Sequence, residues 1–171
     1  MKRWHRVGLL CLVWPWHLWA QEAPWTAWVS WVMDGDTLLL VPEGQKEPVK
    51  VRLDGIDAPE TCQPGGMAAR AAMIRLTLRK SVQVTDLGLD HYGRQVGRLS
   101  VDGVDVGGEM VRSGMAWAYH FRTSRGPYAA LQRAAEKQKK GVFSAKFEKS
   151  FTVAGPRILI RRAPIKQDKV G

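Results

Sequence analysis

Cysteine is scarce in this chain of 171 residues, which contains only Cys11 and Cys62. The two cysteines do not have the spacing of a metal-binding pair, and the four histidines are scattered along the chain. These absences exclude a disulfide-stapled scaffold and argue against a zinc site, because both need clusters of cysteine or histidine. The fold must therefore depend on a hydrophobic core, for which one domain of this length has room.

Acidic residues are also few: 16 Asp and Glu stand against 26 Lys and Arg, which gives a net charge of +10 and an isoelectric point near 10.0. A basic surface of this kind suits a polyanionic partner such as nucleic acid or an anionic membrane. Hydrophobic residues make up 45% of the chain and charged residues 25%. This is an ordinary globular composition, so a disordered or fibrous protein is excluded.

The chain lacks a hydrophobic run that would span a bilayer comfortably. The apolar stretch VGLLCLVWPWHLW has 13 residues, follows the basic start MKRWHR and ends just before Ala20. This arrangement is typical of a secretory signal peptide over residues 1–20, and we expect export to the periplasm or the medium. An uncleaved membrane anchor is the alternative, because Leu18 is larger than the residue usually found there. Residues 146–171 lose periodicity and predict a basic tail.

Between these termini, apolar periodicity predicts five strands and three helices. The predicted strands are two between residues 25 and 41, then VKVRLDGI, SVQVTDL and QVGRLSV. The predicted helices cover residues 66–80, a segment capped by Asp105 and ending at Arg112, and residues 127–140. The order of elements resembles an α+β fold, a five-stranded oligonucleotide/oligosaccharide-binding (OB-fold) barrel with three helices. Trp25, Trp28 and Trp31 of the first strand are interpreted as core residues.

Two acidic clusters lie beside predicted strands, DGDT at Asp34–Thr37 and RLDGIDAPE at Arg52–Glu60. Crowded carboxylates repel one another, and a hard divalent cation relieves that repulsion because it prefers oxygen ligands. Ca²⁺ suits an irregular loop better than Mg²⁺ does, since its coordination geometry is flexible. The alternative is that DGD is only a tight turn. Arg52 and Arg94 favour a site, because a guanidinium group matches phosphate oxygens.

Four motifs, in this order and spacing, resemble the staphylococcal nuclease-like (thermonuclease) family. They are DGDT at Asp34–Thr37, RLDGIDAPE at Arg52–Glu60, DHYGR at Asp90–Arg94 and MVRSGMAWAYHF at Met110–Phe121, within a domain of residues 25–145. The resemblance implies a calcium-dependent, sugar-nonspecific endonuclease that cleaves DNA and RNA without strong sequence preference. It also implies cleavage at the 5′ P–O bond. We expect a monomer with no protein partner.

The resemblance assigns roles to individual residues of this chain. The implied Ca²⁺ ligands are Asp36, Asp57 and the backbone carbonyl of Ala58, with Asp34 beside the metal. The implied catalytic residues are Glu60, which activates the attacking water, and Arg52 and Arg94, which bind the scissile phosphate. The implied substrate-binding residues are Tyr92, which reaches a phosphate, Tyr119, which stacks on a base, and Phe121.

The chain departs from the family pattern at three positions. Ala58 replaces a threonine of which only the carbonyl is needed, whereas Phe121 replaces a tyrosine and His91 a lysine beside Tyr92. The last two changes affect nucleotide binding more than catalysis. One alternative function is a nucleic-acid-binding module that has lost catalysis, although all the implied catalytic residues are present. The other is a membrane-anchored form of the nuclease, which would keep its N-terminal segment.

Overall fold

A computed structural model of the protein describes residues 23–119 and 126–144. The signal peptide expected over residues 1–20, the tail expected over residues 146–171 and the substrate-binding residue Phe121 lie outside the described residues.

The described part of the chain contains eight strands and three α-helices. The strands are β1 (Trp25–Val32), β2 (Thr37–Pro42), β3 (Val49–Leu53), β4 (Ile56–Asp57), β5 (Ser81–Leu89), β6 (Gln95–Val101), β7 (Val104–Asp105) and β8 (Trp117–Ala118). The helices are α1 (Gly66–Thr77), α2 (Val106–Arg112) and α3 (Ala129–Lys137), followed by a 3₁₀ turn at Gly141–Phe143. The five longer strands are those that the sequence predicted.

The five longer strands close into a barrel. They follow the order β3-β2-β1-β5-β6 with antiparallel neighbours, and β6 then pairs in parallel with β3. In that closing pair Arg52 lies opposite Val96, and Leu53 lies opposite Gly97. The predicted α+β OB-fold barrel with three helices is confirmed, and its interior is filled by alternate strand residues such as Val29, Leu40 and Val51.

The helices cover the barrel, and two of them are shorter than predicted. α1 ends at Thr77, because Leu78 is extended and Arg79 adopts the left-handed conformation that turns the chain into β5. α3 covers Ala129–Lys137 and not the predicted residues 127–140. The predicted cap of α2 is present, since Asp105 accepts a hydrogen bond from the Gly108 N–H. Of the helices in the two described ranges, none is long and apolar enough to cross a membrane.

The core assignment of the β1 tryptophans is wrong for two of them. Trp28 is 50% exposed and Trp31 55% exposed, whereas Trp25 is partly buried against the core. Trp28 faces solvent through the regular alternation with the buried Ala27 and Val29. A β-bulge turns Trp31 outward as well: Val29 pairs with Leu40 and Trp31 with Leu39, so both Ser30 and Trp31 face solvent. The alternation that the sequence suggests is therefore interrupted within β1.

Gly35 is required because the bend between β1 and β2 packs closely against α1. A Cβ atom on Gly35 would lie 2.5 Å from the Ala58 Cβ and 2.9 Å from the Ala69 Cβ.

We expect Gly35→Ala to destabilise the fold by about 1–3 kcal/mol through overpacking, measured by denaturant unfolding. The double variant with Ala58→Gly should recover part of that loss. Unchanged stability of the single variant would contradict the close packing.

Candidate active site

The DGD motif forms a bend that turns one carboxylate into the protein. The Asp36 N–H donates to the Asp34 Oδ1 at 2.9 Å, and the Met33 N–H donates to the Thr37 carbonyl at 3.0 Å. The turn that the motif suggested is therefore present. It does more than reverse the chain, however, because Asp36 is buried with only 4% of its surface exposed.

The buried Asp36 carboxylate is held from three sides. The Thr37 hydroxyl donates to its Oδ1 at 2.8 Å, and the Ala58 N–H donates to its Oδ2 at 3.1 Å. Arg52 Nη1 lies 2.7 Å from the same Oδ2. The register of the sheet causes this meeting: Thr37 on β2 pairs with Arg52 on β3, and the Asp36 carbonyl accepts from the Leu53 N–H.

The planar guanidinium of Arg52 also reaches the second acidic cluster. Its Nη2 lies 3.0 Å from Oδ1 of Asp57, the last residue of β4. Burial alone would lower the pKa of Arg52, but the charges and hydrogen bonds of Asp36 and Asp57 raise it. Arg52 therefore stays charged and joins the two acidic clusters.

Two other carboxyl groups of the site, those of Asp34 and Asp57, have raised pKa values. Burial raises the pKa of Asp34, and although the Asp36 N–H opposes this, the charges of Asp36 and Glu60 add to it. Burial also raises the pKa of Asp57 in spite of the hydrogen bond from Arg52, and repulsion from Asp36 contributes. In both residues desolvation is the larger cause of the raised pKa, and repulsion from neighbouring carboxylates adds to it.

Glu60 lies on the rim of the acidic group. Its side chain is exposed, and its backbone is fixed by Gln63, whose Oε1 accepts from the Glu60 N–H at 3.0 Å and whose N–H donates to the Glu60 carbonyl at 2.8 Å. Gly66 packs directly on that carbonyl, and a Cβ atom there would collide with it. The start of α1 thus holds Glu60 near Asp34.

Arg94 is oriented by a partner that the sequence did not assign. Its Nε and Nη2 both contact Asp90 Oδ2 at 2.7 Å, and its guanidinium lies 5.2 Å from the centroid of the exposed Tyr92 ring. Desolvation would raise the pKa of Asp90, but hydrogen bonds from Arg94 and Tyr92 lower it below its usual value. Arg94 precedes Val96, the β6 partner of Arg52, by two residues, so both arginines belong to one face of the sheet.

The predicted substrate-binding tyrosines Tyr92 and Tyr119 are both exposed, and their backbones are bound to the segments that carry Arg94 and Asp57. Tyr92 lies at the tip of the β5–β6 loop, where its N–H donates to Asp90 Oδ1 at 2.9 Å. Tyr119 follows β8, which pairs with β4 at Asp57, and its N–H donates to the Gly55 carbonyl at 2.8 Å. Tyr119 is therefore tied to the segment that carries Asp57, and its side chain is exposed.

The donor chemistry fits a hard divalent cation. Within residues 23–119 and 126–144, no three His, Cys, Asp or Glu side chains are arranged as a ready-made metal cluster. Asp36 and Asp57 instead share the guanidinium of Arg52. The raised pKa values of Asp34 and Asp57 nevertheless fit a cation, because positive charge near these oxygens would relieve their repulsion with Asp36.

Three residues that support the site were not predicted to do so from the sequence: Thr37, Gln63 and Asp90. Thr37 and Asp90 belong to the quoted motifs, but the ion pair of Asp90 with Arg94 forms in the loop between β5 and β6, where their spacing alone does not predict it. Gln63 carried no signal, because its contact with Glu60 depends on the turn before α1.

Comparison with known proteins places the chain in a sequence family. A model of the family described as staphylococcal nuclease homologue matches residues 50–145. An uncharacterized endonuclease of Escherichia coli O157:H7 is 38% identical over 114 residues, which are 66% of this chain and 73% of the relative. A micrococcal nuclease of Shigella flexneri is 34% identical over 124 residues, 66% of this chain and 70% of the relative.

A plant protein matches over a smaller share of its own length. The probable staphylococcal-like nuclease CAN1 of Oryza sativa subsp. japonica is 36% identical over 110 residues, which are 61% of this chain but only 33% of the rice protein. The similarity is thus to one part of the rice protein and to most of each bacterial relative.

The position of Arg52 predicts a large loss of stability when its charge is removed. The Arg52 side chain is 19% exposed, so Arg52→Gln leaves the buried Asp36 carboxylate without its counter-charge, and we expect a loss of about 3 kcal/mol. The matched control is Arg98→Gln, because Arg98 pairs with Asp54 but is 49% exposed, and it should cost less than about 1 kcal/mol. Equal losses in urea unfolding would contradict this difference.

The raised pKa of Asp34 predicts a pH-dependent gain from Asp34→Asn. In the folded protein the pKa lies above its ordinary value of 3.8, so ionisation of Asp34 weakens the fold as the pH rises through the raised value. Asparagine removes the charge and keeps an oxygen for the Asp36 N–H. The variant should melt a few degrees above the wild type near pH 7 and at the same temperature well below pH 3.8. A variant that melts lower near pH 7 would show that the charge is not destabilising.

Proposed function

This chain belongs to the staphylococcal nuclease homologue family and is an endonuclease of the phosphodiesterase class, and from that membership we propose how its site works. The substrate is nucleic acid, which suits the net charge of +10. We propose that both DNA and RNA are cleaved without strong sequence preference, at the 5′ P–O bond, by a monomer. The observation that carries the proposal is the guanidinium of Arg52 between the carboxylates of Asp36 and Asp57, with Asp34 and Glu60 beside them.

The proposed metal is Ca²⁺. Asp36, Asp57 and the Ala58 carbonyl would hold it, with Asp34 beside it. The Ala58 N–H donates to Asp36 Oδ2 at 3.1 Å, so the backbone of Ala58 passes next to the carboxylate that would share the cation. A bound cation supplies positive charge to the phosphate and to the oxygens that repel one another here.

The proposed general base is Glu60. Its exposed carboxylate can accept a proton from a water molecule, and its backbone is held by Gln63 and Gly66, which limits the movement of the base relative to Asp34. General-base catalysis needs such positioning, because the base must lie within hydrogen-bond reach of the attacking water.

The arginines are proposed to bind the scissile phosphate. Negative charge grows on the phosphoryl oxygens during attack, and preorganised donors stabilise it without moving. Asp90 fixes the plane of the Arg94 guanidinium through Nε and Nη2, and within the described ranges no hydrogen bond engages its Nη1. Arg52 would contribute its charge from the same face of the sheet.

Export remains a proposal that rests on the sequence of residues 1–20. The basic start and the 13-residue apolar stretch support a signal peptide, and the N-terminal sequence of the mature protein would distinguish cleavage from an uncleaved anchor. A retained Met1 would favour the membrane-anchored form.

The role of Glu60 is tested with single-stranded DNA, Ca²⁺ and excess chelator. Glu60→Gln should lower the cleavage rate on the order of 10²–10⁴-fold, because the amide cannot take a proton from water. Chelator should abolish cleavage by the wild type. Glu43→Gln is the matched control, since Glu43 is an exposed carboxylate just after β2 and has no role in the proposed mechanism.

The outcomes of this experiment separate the alternatives. Cleavage that survives chelator would overturn the metal-dependent mechanism and leave the fold unaffected. Tight DNA binding without cleavage in any divalent metal would identify a binding module that has lost catalysis.

A further inference from the structure

Two tryptophans on the outer face of β1 remain without a role in the proposed mechanism. Trp28 and Trp31 are each half exposed, and the bulge at Ser30 turns Trp31 outward. An exposed indole has a hydration cost that a protein of ordinary composition avoids by burying it. Two exposed tryptophans on one strand therefore indicate a binding surface.

A cation is held over one of these indoles. The guanidinium carbon of Arg70 lies 5.2 Å from the centroid of the Trp31 ring, and Arg70 Nε donates to the Val32 carbonyl at 3.0 Å. The hydrogen bond fixes Arg70 relative to β1, so the cation and the indole form a preorganised pair. Within the described ranges, no arginine or lysine lies over the Trp28 ring in this way.

Further positive charge lies alongside the same strand. The backbone of Val29 binds the turn that follows α1, through the Arg79 N–H at 3.2 Å and the Lys80 carbonyl at 3.1 Å, and the side chains of Arg79 and Lys80 are exposed. We name Trp28, Trp31, Arg70, Arg79 and Lys80 the tryptophan strip. Aromatic rings interleaved with cations are the surface on which unpaired bases stack while their phosphates are neutralised.

The tryptophan strip adjoins the proposed catalytic site at two points. Trp31 precedes Asp34 by three residues, about 10 Å of extended chain. Arg70 lies on α1, the helix whose first residue, Gly66, packs on the Glu60 carbonyl. A strand of nucleic acid that crosses the acidic group can therefore continue onto Trp31 within a nucleotide or two.

We propose that Trp31, together with Arg70, is a base-stacking subsite for single-stranded nucleic acid next to the scissile phosphodiester. The inference rests on the proposed function, because it places the subsite relative to the proposed catalytic residues. Stacking on an indole does not read the base, so the subsite favours unpaired strands over duplexes and adds little sequence preference.

Binding is measured first, with the full chain carrying Glu60→Gln so that the substrate is not consumed. Fluorescence anisotropy of a labelled single-stranded oligonucleotide gives Kd in the presence of Ca²⁺. Trp31→Ala should raise Kd at least about fivefold, and Trp31→Phe should restore most of the affinity because it keeps an aromatic face. Val104→Ala is the matched control, because Val104 is a half-exposed apolar residue on β7, outside the tryptophan strip, and it should change Kd less than about twofold.

Kinetics with Glu60 intact separate the subsite from the catalytic site. Trp31→Ala should raise KM for an oligonucleotide and leave kcat unchanged, while KM for an oligonucleotide that is abasic beside the cleaved bond, and so has no ring to stack, stays at the wild-type value. Melting curves should give each variant the Tm of the parent chain, because the substituted positions are exposed.

The failures of the two proposals are distinguishable. Cleavage with an unchanged KM and Kd in Trp31→Ala would overturn the subsite and leave the nuclease proposal intact. Absence of cleavage in any metal, with binding that still depends on Trp31, would overturn the nuclease proposal only. Binding to anionic phospholipid vesicles that requires Trp31, with DNA affinity unaffected, would overturn the subsite in favour of a membrane surface.

Discussion

The site depends on one guanidinium group that serves two acidic segments. Arg52 contacts the buried carboxylate of Asp36 at 2.7 Å and the more exposed carboxylate of Asp57 at 3.0 Å. Without that positive charge, Asp36 would be a charged group with its desolvation uncompensated. Arg52 thus has a structural role and a proposed catalytic role, and both depend on the donor groups of its planar guanidinium. Lysine, with a single point of charge, does not span two carboxylates in this way.

Small residues determine how closely these segments approach. Gly35 lies against Ala58 and Ala69, and Gly66 lies on the carbonyl of Glu60. Each contact joins an acidic loop to α1 with no room for another carbon atom. The spacing between the bend, the loop after β4 and the helix is therefore set by backbone contact and not by long side chains, which have rotamer freedom. A site built in this way keeps its geometry when the exposed side chains around it move.

Strands with a clear alternation and motifs with a fixed order were predictable from the sequence, because both are local patterns. VKVRL places Val51 and Leu53 inside and Arg52 outside, and the structure has that arrangement. The outward direction of Trp31 was not predictable, since the bulge before it depends on pairing with β2, whereas that of Trp28 follows from its alternation with Ala27 and Val29. The ion pair of Arg94 with Asp90 was not predictable from their spacing, because its geometry comes from the loop that joins β5 to β6. Local chemistry was thus predictable, whereas contacts made through tertiary pairing were not.

The parallel pairing of β3 with β6 closes the barrel and also sets Arg52 and Arg94 on one face. The segments that meet there are separated by about forty residues, which include α1 and β5, so this contact forms only after a long loop has been closed. Until then the two arginines are carried by chain segments with no fixed relation to each other. An unfolded chain consequently lacks the assembled arginine pair, and with the roles proposed for Arg52 and Arg94 it would gain nuclease activity only when β3 and β6 pair.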